Sequence, residues 1–160
     1  MIDDYARAMT LAAAVGAGVA GGVFFAFSTF VMKALEELPP ADGIVAMQSI
    51  NRQAPTPWFM TLLFGTAALC AALVVSAIVR WGDASAPYQL AGGLSYLAAI
   101  VLTMAYHVPR NDALARVDPE AEGAAAAWSR YLAEWVPWNH VRTLTSVAAA
   151  VLFVLALRAD

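Results

Sequence analysis

The feature of the sequence that most restricts its fold is the length of the stretches without charge. No charged residue occurs between Arg7 and Lys33, and a helix of about 20 apolar residues is long enough to cross the hydrocarbon core of a bilayer. The chain is 61% hydrophobic and only 13% charged, which is far from the average of a soluble protein. We therefore expect an all-α integral membrane protein, and 160 residues favour a single domain.

Prolines help to place the spans. Pro57 suits the first turn of a helix, whereas Pro109 disfavours helical geometry at the residue before it and is expected to end the third span. The uncharged stretch between Arg142 and Arg158 holds only 15 residues, so the fourth span is expected to begin earlier, at Pro137. The four predicted spans of this one domain, residues 1–160, cover about residues 8–32, 57–80, 87–107 and 137–157.

The first of two longer loops is expected to contain a short helix. With four spans, the loops of residues 33–56 and 108–136 lie on the same side of the membrane. Apolar side chains and two amides recur at helical spacing in the first loop, which is typical of an amphipathic helix at the membrane interface. The residues on this face are Ile44, Met47, Gln48 and Asn51.

The second longer loop is expected to contain another amphipathic helix. Asp118 can cap its N-terminus, with Pro119 as the first helical residue and Pro137 after its end. Aromatic side chains recur on one face of this helix, and we interpret them as a lid over a substrate at the interface. Simple interfacial anchoring is the alternative. These residues are Trp128, Tyr131 and Trp135.

The third and fourth spans each contain a polar stripe that is predicted to face the interior of a four-helix bundle. The stripes consist of Gly92, Tyr96, Thr103 and His107 on the third span, and of Asn139, Arg142, Thr143 and Ser146 on the fourth. Arg142 lies about one turn into its span, where burial without a partner is costly. Its partner is therefore expected to be Glu134, Asp112 or an anionic ligand.

Composition and charge limit the partners. The net charge of −3 and the lack of a basic run give no reason to expect nucleic acid, and one cysteine, Cys70, excludes an internal disulfide. The first nine residues do not resemble a removable signal peptide. The expected partners are the lipid bilayer, a bacterial inner membrane in our interpretation, and a second copy bound through the small residues Ala14, Gly18 and Gly22.

His107 and His140 are the only histidines, and both are predicted at the same membrane depth. An imidazole can be a base, a hydrogen-bond donor or a metal ligand near neutral pH. Two histidines could hold haem, copper or iron, although no metal-ligand spacing is present. The structural alternative is that each histidine only caps a helix end or contacts lipid headgroups.

Three short phrases, MQSIN, VPRNDAL and WVPWNHVRT, occur in this order between hydrophobic spans. In order and placement they resemble the anthrone oxygenase-like family of small four-helix membrane proteins, and the resemblance covers nearly the whole chain. Arg110 departs from the pattern, because the family more often has an apolar residue there. The positions that correspond to recurring family residues are Gln48, Asn51, Pro109, Asn111, Leu114, Trp135, Asn139, His140 and Arg142.

The resemblance implies an oxygenase-like enzyme that oxidises a lipophilic, anthrone-like aromatic substrate with molecular oxygen and no obligatory cofactor. In such a reaction a base removes an activated C–H proton, and a cation with amides holds the enolate-like anion. The roles we assign for such a reaction are base for His140, anion stabiliser for Arg142, positioning donors for Asn51, Asn111 and Asn139, and substrate contacts for Gln48, His107, Tyr96, Thr103, Trp128, Tyr131 and Trp135. The alternatives are a structural or accessory membrane protein, and a haem or metal redox module that uses both histidines.

Overall fold

The computed structural model describes residues 2–159, and this part of the chain is helical with no strand. Four helices are long and apolar enough to cross a membrane, and a shorter helix, Pro40–Gln53, lies in the first loop. The expected all-α membrane bundle is confirmed. The four spanning helices are Asp4–Glu36, Pro57–Val79, Ala86–Ala115 and Ala124–Ala159.

The bundle is packed through small residues and surrounded by an apolar outer surface. The fourth helix packs along both the first and the third, and the second helix packs against the third. Gly93 shows how closely the second and third approach, because a Cβ there would lie 2.9 Å from the carbonyl oxygen of Cys70. Val75, Val101 and Leu144 are among the many large apolar side chains exposed on the outside. Such a surface fits lipid, which integral membrane helices contact directly.

Each spanning helix is irregular in the half of the bundle that carries the long loops. The first three helices each contain a five-residue π-helical turn, at Phe27–Val31, Thr61–Gly65 and Thr103–His107, and the fourth contains Pro137 in its interior. A π turn shifts backbone hydrogen bonds to residue i−5 and often marks a functional site in a helix. The irregular segments therefore occur together at one end of the bundle.

Two predicted helix ends are wrong, and both involve proline. The third helix does not end before Pro109 but continues to Ala115, because the wider π turn before the proline moves the carbonyl groups that its ring would meet. The fourth helix does not begin at Pro137 but runs without interruption from Ala124. Interior prolines are tolerated in membrane helices when neighbours satisfy the freed backbone groups. The carbonyl that Pro137 leaves without its usual partner is that of Ala133, and the Tyr106 hydroxyl of the third helix donates to the carbonyl of the next residue, Glu134, at 3.3 Å.

The predicted second loop helix is the N-terminal part of the fourth spanning helix, and Asp118 does not cap it. The Asp118 side chain instead accepts a hydrogen bond from the backbone N–H of Glu120 in a turn, a local alternative that Asp side chains often offer to the backbone. The predicted lid is also wrong in its location. Its aromatic residues are 3%, 6% and 3% exposed and pack in the core against the loop helix; they are Trp128, Tyr131 and Trp135.

Candidate functional site

A cavity of about 470 Å³ lies among the irregular segments, between the loop helix and all four spanning helices. Its walls are mainly apolar and include Phe24, Phe27 and Leu63. The polar side chains that line it are fewer, and several were predicted as site residues. They are Gln48, Asn51, Arg52, Thr103, Asn111, Asp112 and Arg142.

Arg142 is a buried cation in the wall of this cavity. It is 5% exposed, its Nη2 donates to Oδ1 of Asn139 at 2.6 Å, and its Nη1 donates to Oγ1 of Thr103 at 3.2 Å. Its Cζ lies 4.3 Å from the centre of the Phe24 ring and 5.2 Å from that of Trp135, so aromatic faces supply part of its stabilisation. Its Nε has no hydrogen-bond partner.

Among the described residues, no carboxylate forms an ion pair with Arg142. Glu134, one of the expected partners, forms an ion pair with Arg110 instead, with Nε and Oε2 2.9 Å apart. Asp112, the other, lines the cavity but forms no ion pair with Arg142. Neither carboxylate expected as a partner therefore pairs with Arg142, whose charge is stabilised instead by Asn139, Thr103 and the two aromatic faces.

Asn139 fixes the position of Arg142 and does not itself line the cavity. Its Nδ2 donates to the carbonyl of Phe24 and to Oγ of Ser28, both at 2.8 Å, while its Oδ1 accepts from Arg142. Ser28 in turn contacts Oγ1 of Thr143 at 3.0 Å. The predicted donor is therefore a positioning residue that connects the first helix with the fourth.

Asn111 presents a donor to the cavity. Its Oδ1 accepts hydrogen bonds from Nε1 of Trp135 at 3.0 Å and from the hydroxyl of Tyr131 at 2.8 Å. An indole N–H can only donate, so the oxygen must face Trp135 and the amide nitrogen must face away from it. Tyr131 and Trp135, which were predicted as lid residues, thus fix the orientation of the Asn111 amide.

The loop helix contributes two side-chain amides, Gln48 and Asn51, which differ in their hydrogen bonding. Gln48 donates through Nε2 to the carbonyls of Leu114 at 3.0 Å and Val117 at 2.9 Å, which leaves its oxygen as the group that can face the cavity. The Nδ2 atom of Asn51 is buried without a hydrogen-bond partner. Both residues line the cavity, which the oxygen of Gln48 can face as an acceptor, whereas the Asn51 nitrogen is buried.

His140 does not reach the cavity. Successive helical residues point about 100° apart, so the turn that buries Asn139 and Arg142 leaves His140 exposed on the outside of the fourth helix. The assignment of His140 as the base is not supported, because a base must be within hydrogen-bond reach of its proton.

His107 and Tyr96 are buried beside the cavity but do not line it. The His107 ring packs edge-on against Trp135, with ring centres 5.0 Å apart, and its Nδ1 lies 3.3 Å from the carbonyl oxygen of Leu102. Tyr96 donates to the carbonyl of Leu63 at 3.3 Å. Both act as supports of the cavity wall, as do Trp128 and Tyr131.

The two histidines do not form a shared site, since one is in the core and the other is on the outer surface. Among residues 2–159 there is also no group of three His, Cys, Asp or Glu side chains placed to hold a metal ion. The described residues therefore do not fit a site for haem, copper or iron that uses both histidines.

Sequence reasoning missed the contribution of the first helix. Phe24 and Phe27 line the cavity, and Ser28 takes part in the hydrogen bonds that hold Asn139. The available signal was Ser28 itself, a polar side chain inside an otherwise apolar span. Asp112 was named only as a partner of Arg142, although it lines the cavity.

The fold and this site define a class of protein: a four-helix integral membrane protein with a mainly apolar cavity, in whose wall lies a buried cation that forms no ion pair with any carboxylate of the described residues. The chain belongs to the anthrone oxygenase family, whose model matches residues 58–152, more than half of its length. The match contains Thr103, Asn111, Asn139 and Arg142 but not the loop helix. Searches of curated proteins and of solved structures found no match.

Proposed function

We propose that this protein is a membrane oxygenase that oxidises a lipophilic, anthrone-like aromatic ketone with molecular oxygen. The observation that carries the proposal is Arg142, a buried cation in the wall of an apolar cavity, which pairs with no carboxylate in the part of the chain that the structure describes. A flat aromatic substrate that becomes an enolate would bring its negative oxygen to this cation. Membership of the anthrone oxygenase family supports the same reaction class; a bacterial inner membrane stays a prediction.

The reaction begins with removal of a proton from the methylene group between the aromatic rings. The electron pair of the broken C–H bond remains on the substrate as an enolate, whose oxygen is stabilised by Arg142 and by an N–H donor from Asn111. The predicted donor role of Asn51 is not used, because its amide nitrogen is buried. Donors fixed in place before the charge develops are the most effective kind of electrostatic stabilisation. Asn139 and Thr103 hold the guanidinium so that it does not have to reorganise.

Molecular oxygen is the oxidant and accepts all the electrons released in the reaction. The enolate carbon transfers one electron to oxygen, and the resulting radical pair combines to form a C–O bond. After protonation the hydroperoxide loses water, so that one oxygen atom becomes the second ketone of the product and the other leaves as water. The four electrons come from the two C–H bonds of the methylene group, and the chemistry requires no further oxidant.

The proton acceptor we assign is Asp112. Of the described residues that line the cavity, only Asp112 has a carboxylate, and the remaining charged side chains there are arginines. Positioned bases contribute about 10²–10⁴-fold to rates of this kind. This assignment replaces His140, which lies on the outer surface.

The test is oxygen uptake by the purified, reconstituted protein with 1,8-dihydroxyanthrone, corrected for the protein-free reaction. Arg142→Gln is expected to lower the rate by about 10²–10³-fold, as loss of an oxyanion donor does in other enzymes. Asp112→Asn is expected to lower it as well, with binding of the quinone product unchanged. Arg130→Gln is the matched control, because Arg130 is exposed on the same helix and does not line the cavity.

Full oxygen uptake by a folded Arg142→Gln variant would overturn the proposal. Circular dichroism and gel filtration establish that each variant keeps the native helix content and size. Equal losses in the Arg142 and Arg130 variants would also contradict it, since the effect would then come from general charge removal.

A further inference from the structure

One wall of the cavity lies at the outer surface of the bundle. Phe64, Met104 and Val108 line the cavity and are 45%, 50% and 36% exposed, whereas the cavity residues Phe24 and Leu63 are each 4% exposed. A side chain that only lines the cavity can therefore remain almost fully buried. The three exposed side chains therefore mark the rim at which the cavity opens to the outside.

This rim lies between the second and third helices, where their packing changes along their length. The two helices are in close contact over Thr66–Val79 and Ala86–Leu102, and the approach at Gly93 leaves no room for a methyl group. Tyr96 makes a further link by donating to the carbonyl of Leu63. Towards the long loops the two helices separate. The cavity lies between their segments of residues 57–65 and 103–115, which are not in close contact with each other.

The chemistry of the rim fits lipid better than water. Its three residues are apolar and belong to two spanning helices, so a molecule that crosses the rim leaves the bilayer without crossing a polar surface. The charged lining residues Arg52 and Asp112 are exposed near the loops and define the alternative, aqueous approach.

We propose that the gap bordered by Phe64, Met104 and Val108 is a lateral portal through which a flat lipophilic aromatic molecule enters the cavity from the bilayer. The ligand class rests on the proposed function, but the route does not depend on any chemical step. A molecule that dissolves in the bilayer reaches the portal by diffusion in the membrane plane. The aromatic cluster of Trp128, Tyr131 and Trp135 is buried in the core and takes no part in this entry.

The portal is tested by ligand kinetics in phosphatidylcholine nanodiscs without an oxidisable substrate. Stopped-flow quenching of tryptophan emission by 1,8-dihydroxyanthraquinone gives the association and dissociation rates. Met104→Trp is expected to slow both rates at least tenfold and to change Kd by less than threefold, because a narrower portal hinders both directions. Val101→Trp is the matched control, since Val101 is 65% exposed on the same helix but does not line the cavity.

Other results would overturn the portal. An unchanged association rate with a raised dissociation rate would make Met104 a simple wall residue. A tenfold slower association in Arg52→Trp, with Met104→Trp normal, would establish the aqueous approach, and absence of saturable quenching in the unaltered protein would remove the ligand class. Binding through the portal without oxygen uptake would contradict the proposed function alone.

A reversible block keeps the test decisive if Met104→Trp does not fold. Met104→Cys can be labelled after folding with benzyl methanethiosulfonate and restored with dithiothreitol, while the native Cys70 is fully buried. The association rate is expected to fall at least tenfold on labelling and to recover on reduction. A rate that does not respond to the label contradicts the portal.

Discussion

At the scale of single residues, hydrogen-bond partners determine which end of each side-chain amide, the oxygen or the nitrogen, faces them. This holds for the amides that line the cavity and for Asn139 behind its wall. Asn111 faces an indole N–H, Gln48 faces two backbone carbonyls and Asn139 faces a guanidinium, and each of these partners has only one hydrogen-bonding role. The nitrogen of Asn111 is thereby left for the cavity, in addition to the cation of Arg142. The cavity thus has N–H donors from Asn111 and Arg142 as well as acceptors from Gln48 and Asp112. In the reaction proposed above, the two donors would face the negatively charged oxygen of the substrate.

Asn111→Asp tests this polarity with almost no change of shape. One carboxylate oxygen can keep the hydrogen bonds from Trp135 and Tyr131, while the other replaces an N–H donor with a negative charge. Loss of a charge-assisted hydrogen bond costs about 1.5–3 kcal/mol, a factor of roughly 10–100. We expect Kd for 1,8-dihydroxyanthraquinone and KM for the anthrone to rise by about this factor.

The control for Asn111→Asp is Gln53→Glu, which makes the same change of charge at an exposed residue of the loop helix that does not line the cavity. Binding by this variant should be within twofold of the unaltered protein. If both variants weaken binding equally, the effect is one of net charge and the donor role of Asn111 is wrong.

At the scale of helices, glycines have different roles according to the face on which they lie. A Cβ on Gly93 would meet the Val74 side chain at 2.5 Å and the Cys70 carbonyl at 2.9 Å, whereas a Cβ on Gly22 would meet nothing within 4 Å. The small residues of the first helix that were predicted to bind a second copy also lie on different faces. Ala14 is buried in the core, but Gly18 and Gly22 are exposed, and the homo-oligomer through them stays a prediction.

Gly93→Ala is expected to destabilise the protein by about 1–3 kcal/mol, the usual cost of inserting a methyl group into a packed interior. Gly22→Ala is expected to be neutral or to stabilise it by up to about 1 kcal/mol, because alanine is the better helix former. Thermal unfolding in detergent, followed by circular dichroism, measures both. A lower Tm for Gly22→Ala, with a lower apparent mass, would instead indicate that Gly22 mediates a homo-oligomer.

At the scale of the whole molecule, the bundle has a packed half and a hollow half. The packed half contains the short turn between the second and third helices, and the hollow half contains the π turns, the cavity and the two long loops. Apolar side chains cover the outside along the spanning helices. This arrangement places the site at one membrane face, close to the loops and within reach of molecules dissolved in the bilayer.

Four spans require that the two ends of the bundle lie on opposite sides of the membrane. Ala84→Cys in the short turn and Glu120→Cys in the second long loop are both at exposed positions, and the native Cys70 is buried. In sealed vesicles of uniform orientation, a membrane-impermeant maleimide is expected to label one variant from outside and the other only after lysis. Labelling of both from the same side would contradict the four-span topology.

The sequence by itself determined what depends on length and local periodicity. Uncharged stretches predicted the four spans. Helical periodicity of 3.6 residues correctly predicted that Asn139, Arg142, Thr143 and Ser146 face the interior. The same repeat places His140 outward, so its exposure could have been predicted. Neighbouring residues of a helix point in different directions, so the adjacent residues of WNHVRT cannot all belong to one site.

Only the tertiary structure decided what depends on groups that are distant in the chain. The helix ends at Pro109 and Pro137 were mispredicted because π-helical backbone and other helices accommodate these prolines, which no local rule contains. Glu134, an expected partner of Arg142, pairs with Arg110 instead. The opening between the second and third helices likewise arises from how they pack, because the free energy of a buried charge or a gap is set by its neighbours in space.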